Sequence, residues 1–257
     1  MTMSGETRAR MPALRLDGQL AVVTGAGRGL GRGCALALAD AGADLVLIAR
    51  SRDELEGVAR EVAEAGRRAA PLVCDITDAA QVAAALGPLD RIDILVNSAG
   101  TNIPEPFFQV SEEHLDRVLA LNVKGTFLVS QRAAQRMVEH GGAIITISSQ
   151  MGHVGSPTRT VYCATKHAVE GLTRALAVEL APYRIRVNTV APTYIDTPMT
   201  RPFFEDAAFR ADVLSRIPLG RLGQIEDIMG AVVFLASPAA ALITGASLLI
   251  DGGWTAQ

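Results

Sequence analysis

Short apolar runs alternate along this chain with longer segments in which apolar and polar residues recur at helical spacing. The short runs hold few polar residues, as expected for parallel strands that are buried on both faces. The longer segments have the periodicity of amphipathic helices, and several begin with capping residues, such as Ser111 before Glu112. The predicted strands are 20–24, 44–49, 70–74, 92–97, 143–148, 184–190 and 247–250. The predicted helices are 29–41, 52–65, 78–86, 111–139, 160–181 and 224–236.

This alternation predicts an α/β fold, a Rossmann-like, doubly wound parallel sheet of about seven strands with helices on both faces. No Ser/Gly run or charge block divides the 257 residues, so we expect a single domain over 16–257. Residues 1–15 mix charged, Met, Ser and Pro residues and are expected to be a disordered lead. In such a sheet the ligand site lies at the carboxyl ends of the strands.

Composition excludes several classes of function. The net charge of −3 argues against a nucleic-acid partner, which requires clustered Lys and Arg. No segment reaches the length of a membrane helix, so we expect no membrane partner. The 3 cysteines and 4 histidines lack metal-ligand spacing, which predicts no metal site. The cysteines fit a reducing compartment, and the expected location is the cytoplasm.

A glycine-rich turn at 24–31, TGAGRGLG, joins the first predicted strand to the first predicted helix. Its glycines are Gly25, Gly29 and Gly31, a longer spacing than G-x-G-x-x-G. Glycines let the backbone turn sharply and approach a pyrophosphate, whose charge then faces the helix N-terminus. The turn therefore predicts a dinucleotide site.

The end of the second predicted strand indicates which nicotinamide cofactor is preferred. A carboxylate there would hold the ribose 2′-hydroxyl of NAD, whereas a cation would suit the 2′-phosphate of NADP. The chain has Arg50 at this point, and Arg28 and Ser51 could share the phosphate. We expect NADP(H) to be preferred over NAD(H). The alternative is that Arg50 stacks on the adenine and the enzyme tolerates NAD.

Tyr162 and Lys166 are four residues apart in a predicted helix, so they share one face. A nearby ammonium favours the phenolate and lowers the pKa of a tyrosine. The pair is expected to serve as a general acid or base near neutral pH.

Eight short motifs between Leu16 and Trp254 resemble, in order, those of the short-chain dehydrogenase/reductase family, including gluconate 5-dehydrogenase-like and 3-oxoacyl reductase-like members. The motifs are TGAGRGLG at 24–31, CDIT at 74–77, NSAG at 97–100, LNVKG at 121–125, ISSQMG at 147–152, YCATK at 162–166, RVNTVAPTYIDTPM at 186–199 and LLIDGG at 248–253. Two positions depart from the family pattern: Ser98 stands where a second asparagine is usual, and Thr193 where a glycine is usual.

The resemblance implies a catalytic set of Asn122, Ser149, Tyr162 and Lys166. Ser149 would stabilise the alkoxide, Tyr162 would transfer the proton, and Lys166 would hold the nicotinamide ribose. Asn122 would hold a water that links Lys166 to solvent. Further cofactor contacts are implied for the glycine loop, the adenine side and the nicotinamide side, namely Leu30, Asp75, Ile76, Asn97, Ala99, Gly100, Pro192, Thr193, Ile195 and Thr197.

Substrate specificity is expected to come from residues around the predicted site and from a lid over 197–217. The candidate substrate contacts are Thr101, Asn102, Gln150, His153, Thr193 and Tyr194. An inward-facing Arg201 or Arg210 would suit a carboxylate substrate such as a sugar acid or keto acid. The alternative for 197–217 is an ordinary amphipathic helix pair with its arginines in solvent.

Three functions remain open from the sequence. The first is an NADP(H)-dependent reductase or dehydrogenase of a small polyol, sugar acid or ketone. The second is a 3-oxoacyl-thioester reductase, and the third is a non-catalytic NADP-binding regulator. Predicted helices 111–139 and 160–181 carry more apolar residues than one sheet face covers. With the resemblance, this predicts a homotetramer, or a dimer.

Overall fold

The seven predicted strands pair side by side in one parallel sheet in the computed structural model, which describes residues 12–257. Residues 1–11 of the predicted lead lie outside the described residues. The strands are β1 Leu20–Thr24, β2 Asp44–Ala49, β3 Ala69–Val73, β4 Ile94–Asn97, β5 Gly142–Ile147, β6 Ile185–Pro192 and β7 Ser247–Ile250. They lie in the order β3-β2-β1-β4-β5-β6-β7, and every pair is parallel. The predicted doubly wound α/β fold is confirmed.

Helices cover both faces of the sheet. They are α1 Gly29–Asp40, α2 Arg52–Glu64, α3 Ala79–Leu86, α4 Glu112–Leu119, α5 Thr126–Met137, α6 Thr160–Leu180, α7 Ala207–Ser215 and α8 Glu226–Ala236. Alternate strand residues belong to different cores: Val23 packs with the core under α1, α2 and α8, and Val22 with the core under α3, α5 and α6. Strands buried on both faces explain why the sequence shows continuous apolar runs.

The predicted single helix 111–139 is wrong in one respect. Its middle, Ala120–Gly125, is a π-helical turn between α4 and α5. Two contacts stabilise this geometry: the Thr126 hydroxyl donates to the Asn122 carbonyl at 2.8 Å, and Ile76 packs tightly against Gly125. A β-carbon on Gly125 would lie 2.9 Å from Ile76 Cδ1, so a larger residue would push the segment away. Such π turns are frequent at functional sites.

The predicted lid, 197–217, forms a short 3₁₀ segment at Arg201–Glu205 followed by α7. Asp206 caps α7, accepting hydrogen bonds from the backbone N–H groups of Ala208 and Phe209. Within residues 12–257, no helix is both long enough and apolar enough to cross a membrane.

Candidate active site

The carboxyl ends of β1, β4, β5 and β6 bring the predicted cofactor and catalytic residues to one edge of the sheet. Thr24 ends β1, and its hydroxyl accepts hydrogen bonds from the backbone N–H groups of Ser98 and Ala99, at 3.1 and 3.2 Å. These bonds hold the loop after β4 against the glycine-rich loop after β1. Both loops therefore face the same space.

Two glycines of the glycine-rich loop, Gly25 and Gly31, leave no room for a side chain. Gly25 has a φ of 66°, and a β-carbon there would lie 2.9 Å from the Ala99 backbone. A β-carbon on Gly31 would overlap the carbonyl of Gly25. Gly29, by contrast, borders open space, with only Thr197 near its would-be β-carbon, at 3.9 Å. Leu30 packs partly buried against the core and anchors the first turn of α1.

The N-terminus of α1 is free to bind an anion. The preceding residue, Arg28, makes no side-chain capping bond, and the first turn of the helix holds no acidic residue. The first N–H groups of a helix need a partner, and the helix dipole favours a negative one. A pyrophosphate meets both requirements.

In the cofactor-specificity region, sequence reasoning missed the position of Glu54 beside Arg28. Arg50 is exposed at the end of β2, and Ser51 caps α2 by accepting from the N–H of Glu54 at 3.4 Å. The Glu54 carboxylate lies 3.6 Å from the Arg28 guanidinium. Because this pair is exposed, it contributes little free energy and can open for a phosphate. The signal for it was the i, i+3 spacing of Ser51 and Glu54 at the start of α2.

On the predicted adenine side, Asp75 and Ile76 follow β3. The Asp75 Oδ1 atom accepts from the N–H and the hydroxyl of Thr77, at 2.9 and 2.8 Å. Ile76 is buried against the π-helical turn. Asn97 is turned into the interior, where its amide donates to Ser130 Oγ at 2.9 Å. At this end of β4, the backbone from Asn97 to Gly100, not the Asn97 side chain, faces the cofactor loop.

Ser149 is the second residue after β5 and is buried. Its hydroxyl donates to Gln150 Oε1 at 2.9 Å and accepts from the N–H of Met151 at 3.1 Å. Gln150, predicted to contact substrate, is itself 1% exposed and orients this hydroxyl. The Ser149 hydroxyl is also close enough to the Tyr162 phenol to lower the pKa of that phenol.

The Tyr162–Lys166 pair differs from expectation in its electrostatics. Burial raises the pKa of Tyr162 to about 12, and the hydrogen bond from Ser149 acts in the opposite direction. Burial lowers the pKa of Lys166 to about 8, opposed by the carboxylate of Glu170. The Lys166 ammonium donates to the Ile147 carbonyl at 2.8 Å and lies 5.4 Å from the Tyr162 ring centroid. The expected lowering of the tyrosine pKa is therefore wrong, because desolvation of the buried phenol is the largest effect on it.

Asn122 connects three parts of the site from the π-helical turn. Its side chain accepts from the N–H of Thr101 and donates to the Thr101 carbonyl, both at 2.9 Å. It also donates to Thr165 Oγ1 at 3.1 Å, and Thr165 in turn donates to the Tyr162 carbonyl at 2.8 Å. The sequence could not indicate this clamp, because LNVKG reads as ordinary helix.

The segment after β6 lines the other side of the predicted pocket. Thr193 is 9% exposed, and its buried hydroxyl has no hydrogen-bond partner within residues 12–257. The buried Asn102 Oδ1 is likewise without a partner there. Pro192 and Ile195 are buried, and Thr197 Oγ1 lies 3.1 Å from Thr200 Oγ1. Unpartnered buried polar atoms are rare, and a ligand is a common explanation.

His153 was predicted to face substrate, but its ring is directed elsewhere. Its Nε2 atom lies 2.9 Å from Ser247 Oγ and 3.5 Å from the buried carboxylate of Glu170. Proximity in sequence to Ser149 could not reveal that the 3₁₀ turn Gln150–Gly152 rotates the side chain toward α6 and β7.

Two aromatic side chains of the predicted lid, Phe204 and Phe209, pack against Tyr194. Tyr194 contacts Phe204, Phe209 and Trp254, with ring centroids 5.8 to 5.9 Å apart. This set of four rings is called the lid cluster below. The two lid arginines do not face the pocket: Arg201 pairs with Asp196 at 2.7 Å, and Arg210 is exposed. The inward-facing arginine is Arg159, which sequence reasoning missed.

Comparisons with known proteins agree with this geometry. A family model described as enoyl-(acyl carrier protein) reductase matches residues 25–255. D-erythrulose reductase of Gallus gallus is 38% identical over 245 residues, covering 95% of this chain and 98% of the relative. The 3-oxoacyl-(acyl-carrier-protein) reductase FabG of Thermotoga maritima is 38% identical over 245 residues, covering 93% and 99%. A gluconate 5-dehydrogenase from Burkholderia cenocepacia J2315, solved with NADP and tartrate, superimposes with a TM-score of 0.92 at 37% identity, covering 96% and 99%.

The matches span nearly the whole chain and nearly the whole of each relative, so the chain belongs to the short-chain dehydrogenase/reductase family. It is an NAD(P)-dependent oxidoreductase of that family. The resemblance drawn from its eight motifs is confirmed.

The residues present fit a nicotinamide dinucleotide. Its pyrophosphate suits the close-packed glycines Gly25 and Gly31 and the uncapped start of α1. On the predicted nicotinamide side, the buried Thr193 hydroxyl has no partner within residues 12–257, so a polar group of the cofactor would satisfy it.

Proposed function

We propose that this chain is an NADP(H)-dependent reductase or dehydrogenase that interconverts a carbonyl and a secondary alcohol of a small polar substrate. One observation carries the proposal: the Lys166 ammonium lies 5.4 Å from the Tyr162 ring centroid, and the nearby Ser149 hydroxyl acts to lower the pKa of the Tyr162 phenol. This arrangement can donate two hydrogen bonds to one substrate oxygen.

The proposed chemistry divides between cofactor and protein. The nicotinamide supplies or accepts the hydride. In reduction, Tyr162 gives its proton to the carbonyl oxygen, and the Ser149 hydroxyl stabilises the charge that develops there. Lys166 holds a positive charge close to the Tyr162 ring and is placed to hold ribose hydroxyls. Asn122 positions the Thr101 loop and α6 around these groups.

NADP(H) is proposed as the preferred cofactor because Arg50 and Arg28 are the exposed side chains at the end of β2 and in the glycine loop. Guanidinium groups suit the planar, bidentate binding of phosphate. The gluconate 5-dehydrogenase neighbour was solved with NADP.

The substrate proposed is a polyol, a sugar acid or a related small ketone. The names of D-erythrulose reductase and gluconate 5-dehydrogenase support this class. The second candidate, a 3-oxoacyl-thioester reductase, is favoured by the Thermotoga maritima relative. A non-catalytic NADP-binding regulator is disfavoured, because the Ser149, Tyr162 and Lys166 side chains are assembled in one site.

We further propose that the lid over 197–217 controls access to this site.

The enzyme is proposed to be a homotetramer or a dimer. Apolar side chains remain exposed on α4 and α5, among them Leu115, Leu119 and Phe127. Along this continuous stretch, from Asp116 to Phe127, a surface depression is lined by Leu119, Ala120, Val123 and Phe127 together with Asp116 and Lys124. Light scattering of the purified protein would give its mass in solution.

The proposed location is the cytoplasm. Cys34, Cys74 and Cys163 are free thiols, as expected for a protein in a reducing compartment.

The test is turnover of neutral ketoses, sugar acids and acetoacetyl thioesters with NADPH and with NADH, followed by nicotinamide absorbance. Tyr162→Phe should bind NADPH normally and lose about 10²- to 10⁴-fold in kcat, the usual contribution of a positioned acid or base. Tyr183→Phe, at an exposed tyrosine outside the site, is the control and should keep full activity.

Each outcome selects one function. Thioester reduction without ketose turnover would replace the proposal with the second candidate. Tight NADPH binding with no turnover of any substrate would support the regulator. Substantial activity in Tyr162→Phe would remove Tyr162 from the mechanism.

A further inference from the structure

Arg159 is a buried cation without a matching anion. It immediately precedes α6, three residues before Tyr162, and is 5% exposed. Arginine is almost never buried this deeply unless it is paired, because desolvating an isolated charge costs several kcal/mol. The surroundings of Arg159 therefore need an explanation.

The protein itself satisfies only part of the guanidinium. Its Nη1 atom donates to Thr158 Oγ1 at 3.0 Å and to the Thr158 carbonyl at 3.5 Å. Its Nε atom is buried and has no hydrogen-bond partner among residues 12–257. Within residues 12–257, no carboxylate oxygen lies within 4.0 Å of its nitrogens. The Arg159 guanidinium, which carries a fixed positive charge, therefore has N–H groups available to donate to a ligand.

A second arginine of the same chain shows what a satisfied buried guanidinium looks like. Arg186 is half-buried, and it donates to the carbonyls of Leu235, Ala236 and Ser237 at 2.7 to 3.4 Å. Those carbonyls lie at the C-terminal end of α8, where the helix dipole is negative. Arg159 lies at the N-terminal end of α6, and among the described residues it donates to one carbonyl, that of Thr158, at 3.5 Å.

The backbone before Arg159 is strained into place. Thr158 has a φ of 57°, which is an outlier for a β-branched residue. Its carbonyl is held by the backbone N–H of Glu105 at 3.0 Å. Strain of this kind persists only where the surroundings enforce it, and it concentrates at ligand sites.

Arg159 lies between the proton-transfer group and the lid. Its charge acts on the Tyr162 and Tyr194 phenols, and its guanidinium carbon is 5.1 Å from the Phe203 ring centroid. Phe203 belongs to the lid segment. The cation therefore faces the space that a substrate of Tyr162 would occupy, with an aromatic ring covering it.

We propose that Arg159 binds a carboxylate of the substrate, so that the enzyme acts on a small hydroxy acid or keto acid such as a sugar acid, rather than on a neutral polyol. This inference rests on the proposed oxidoreductase function and specifies its substrate class. A carboxylate would give Nε its missing partner and neutralise the buried charge. Guanidinium and carboxylate match in a bidentate geometry, and a water-poor site strengthens the pair. A single guanidinium balances a carboxylate of charge −1 better than a phosphate dianion.

Two matched substrate pairs test this with NADPH. The first is 5-keto-D-gluconate and L-sorbose, which differ in a carboxylate and a CH₂OH group. The second is acetoacetate and 4-hydroxy-2-butanone, which differ in the same way. We expect the acid of at least one pair to exceed its neutral partner about 10- to 10²-fold in kcat/KM, the range of a charge-assisted hydrogen bond.

The matched variants are Arg159→Met, Arg159→Lys and Arg60→Met. Arg159→Met should reduce kcat/KM for the acid about 10²-fold and for the neutral partner less than about threefold. Arg159→Lys should recover part of the loss for the acid. Arg60→Met removes an exposed arginine of α2, outside the site and the lid, and should leave both values unchanged. Because Arg159→Met deletes an unpaired buried charge, it should fold and bind NADPH as the wild type does.

A binding readout makes the result independent of turnover. D-gluconate should raise the melting temperature of the NADPH-bound wild type, whereas neutral sorbitol should not, and Arg159→Met should lose the effect. Equal kcat/KM within both pairs, or an equal loss on both members in Arg159→Met, would overturn the carboxylate assignment and leave the oxidoreductase proposal intact. A preference for a ketose phosphate over both acids would overturn it in favour of phosphate. No turnover and no stabilisation by gluconate would overturn both proposals.

Discussion

Replacing Asn122 by alanine tests whether the π-helical turn positions the site. The variant removes the two hydrogen bonds to Thr101 and the one to Thr165. Asn122 is 3% exposed, so its partners lose bonds in a largely buried place. At about 1 kcal/mol for each of the bonds, the free energy of unfolding should fall by about 3 kcal/mol. Because Thr101 is only half-buried and can find water, we expect about 2–3 kcal/mol.

This destabilisation corresponds to a fall in melting temperature of about 5–10 °C for a domain of this size. The activity should fall further than the stability explains. Asn122 connects the Thr101 loop to Thr165, which holds the carbonyl of Tyr162. A displacement of about 1 Å at a reacting group lowers the rate by about 10²-fold. We expect kcat to fall at least tenfold at 25 °C, where the variant is still folded.

Asn188→Ala is the matched control. Asn188 is also buried and bridges two backbone groups, donating to Ile243 and accepting from Ala246 at 2.9 and 3.0 Å. The variant should lose about 2 kcal/mol in the free energy of unfolding. It should keep kcat within about twofold, because Asn188 lies in β6 and bonds to the segment that precedes β7, away from Tyr162. Melting curves and initial rates of both variants are the assay. If both lose stability and kcat in the same proportion, Asn122 is merely structural and the positioning argument fails.

Two further predictions concern the cofactor and the pH profile. Arg50→Asp should lower the ratio of kcat/KM with NADPH to kcat/KM with NADH by at least about 10²-fold, because a carboxylate repels the 2′-phosphate and binds a 2′-hydroxyl. If the variant keeps its selectivity for NADPH, other residues recognise the 2′-phosphate. The reduction rate should fall above about pH 8 as the buried Lys166, with its lowered pKa, loses its proton, and Lys166→Arg should remove this decline. The pKa of Lys166 in the folded protein, about 8, lies below its ordinary value of 10.5. Between these two pH values the contribution of Lys166 to the free energy of unfolding rises with pH, so unfolding cannot explain the fall in rate. A rate that stays flat to pH 10 would exclude a role for the Lys166 ammonium.

The sequence predicted the sheet because each strand is a short apolar run with a turn or cap residue at its end. Some observed strand boundaries differ from the predicted ones because of side-chain contacts. The predicted strand 92–97 begins only at Ile94, after Asp93, whose carboxylate accepts from the N–H of Leu20 at 2.9 Å. The π-helical turn could not be predicted, since Gly125 and Ile76 meet only in the folded chain.

The direction of side chains was harder to predict than the position of motifs. His153 and Gln150 are near Ser149 in sequence, yet they face Glu170 and the serine hydroxyl respectively. Arg159 carried a weak signal, a cation at a helix start without an acidic residue within four positions. Its burial depends on Phe203, which approaches from a distant segment, so no local pattern could reveal it.

The lid cluster gives this protein a built-in optical reporter. The chain has a single tryptophan, Trp254, and its ring lies 5.9 Å from Tyr194 in the lid cluster. Its emission comes from one known place, with no second indole to obscure it. Any rearrangement of Phe204, Phe209 or Tyr194 changes the environment of that fluorophore. Stopped-flow fluorescence on the unlabelled protein would therefore time the movement of the proposed lid.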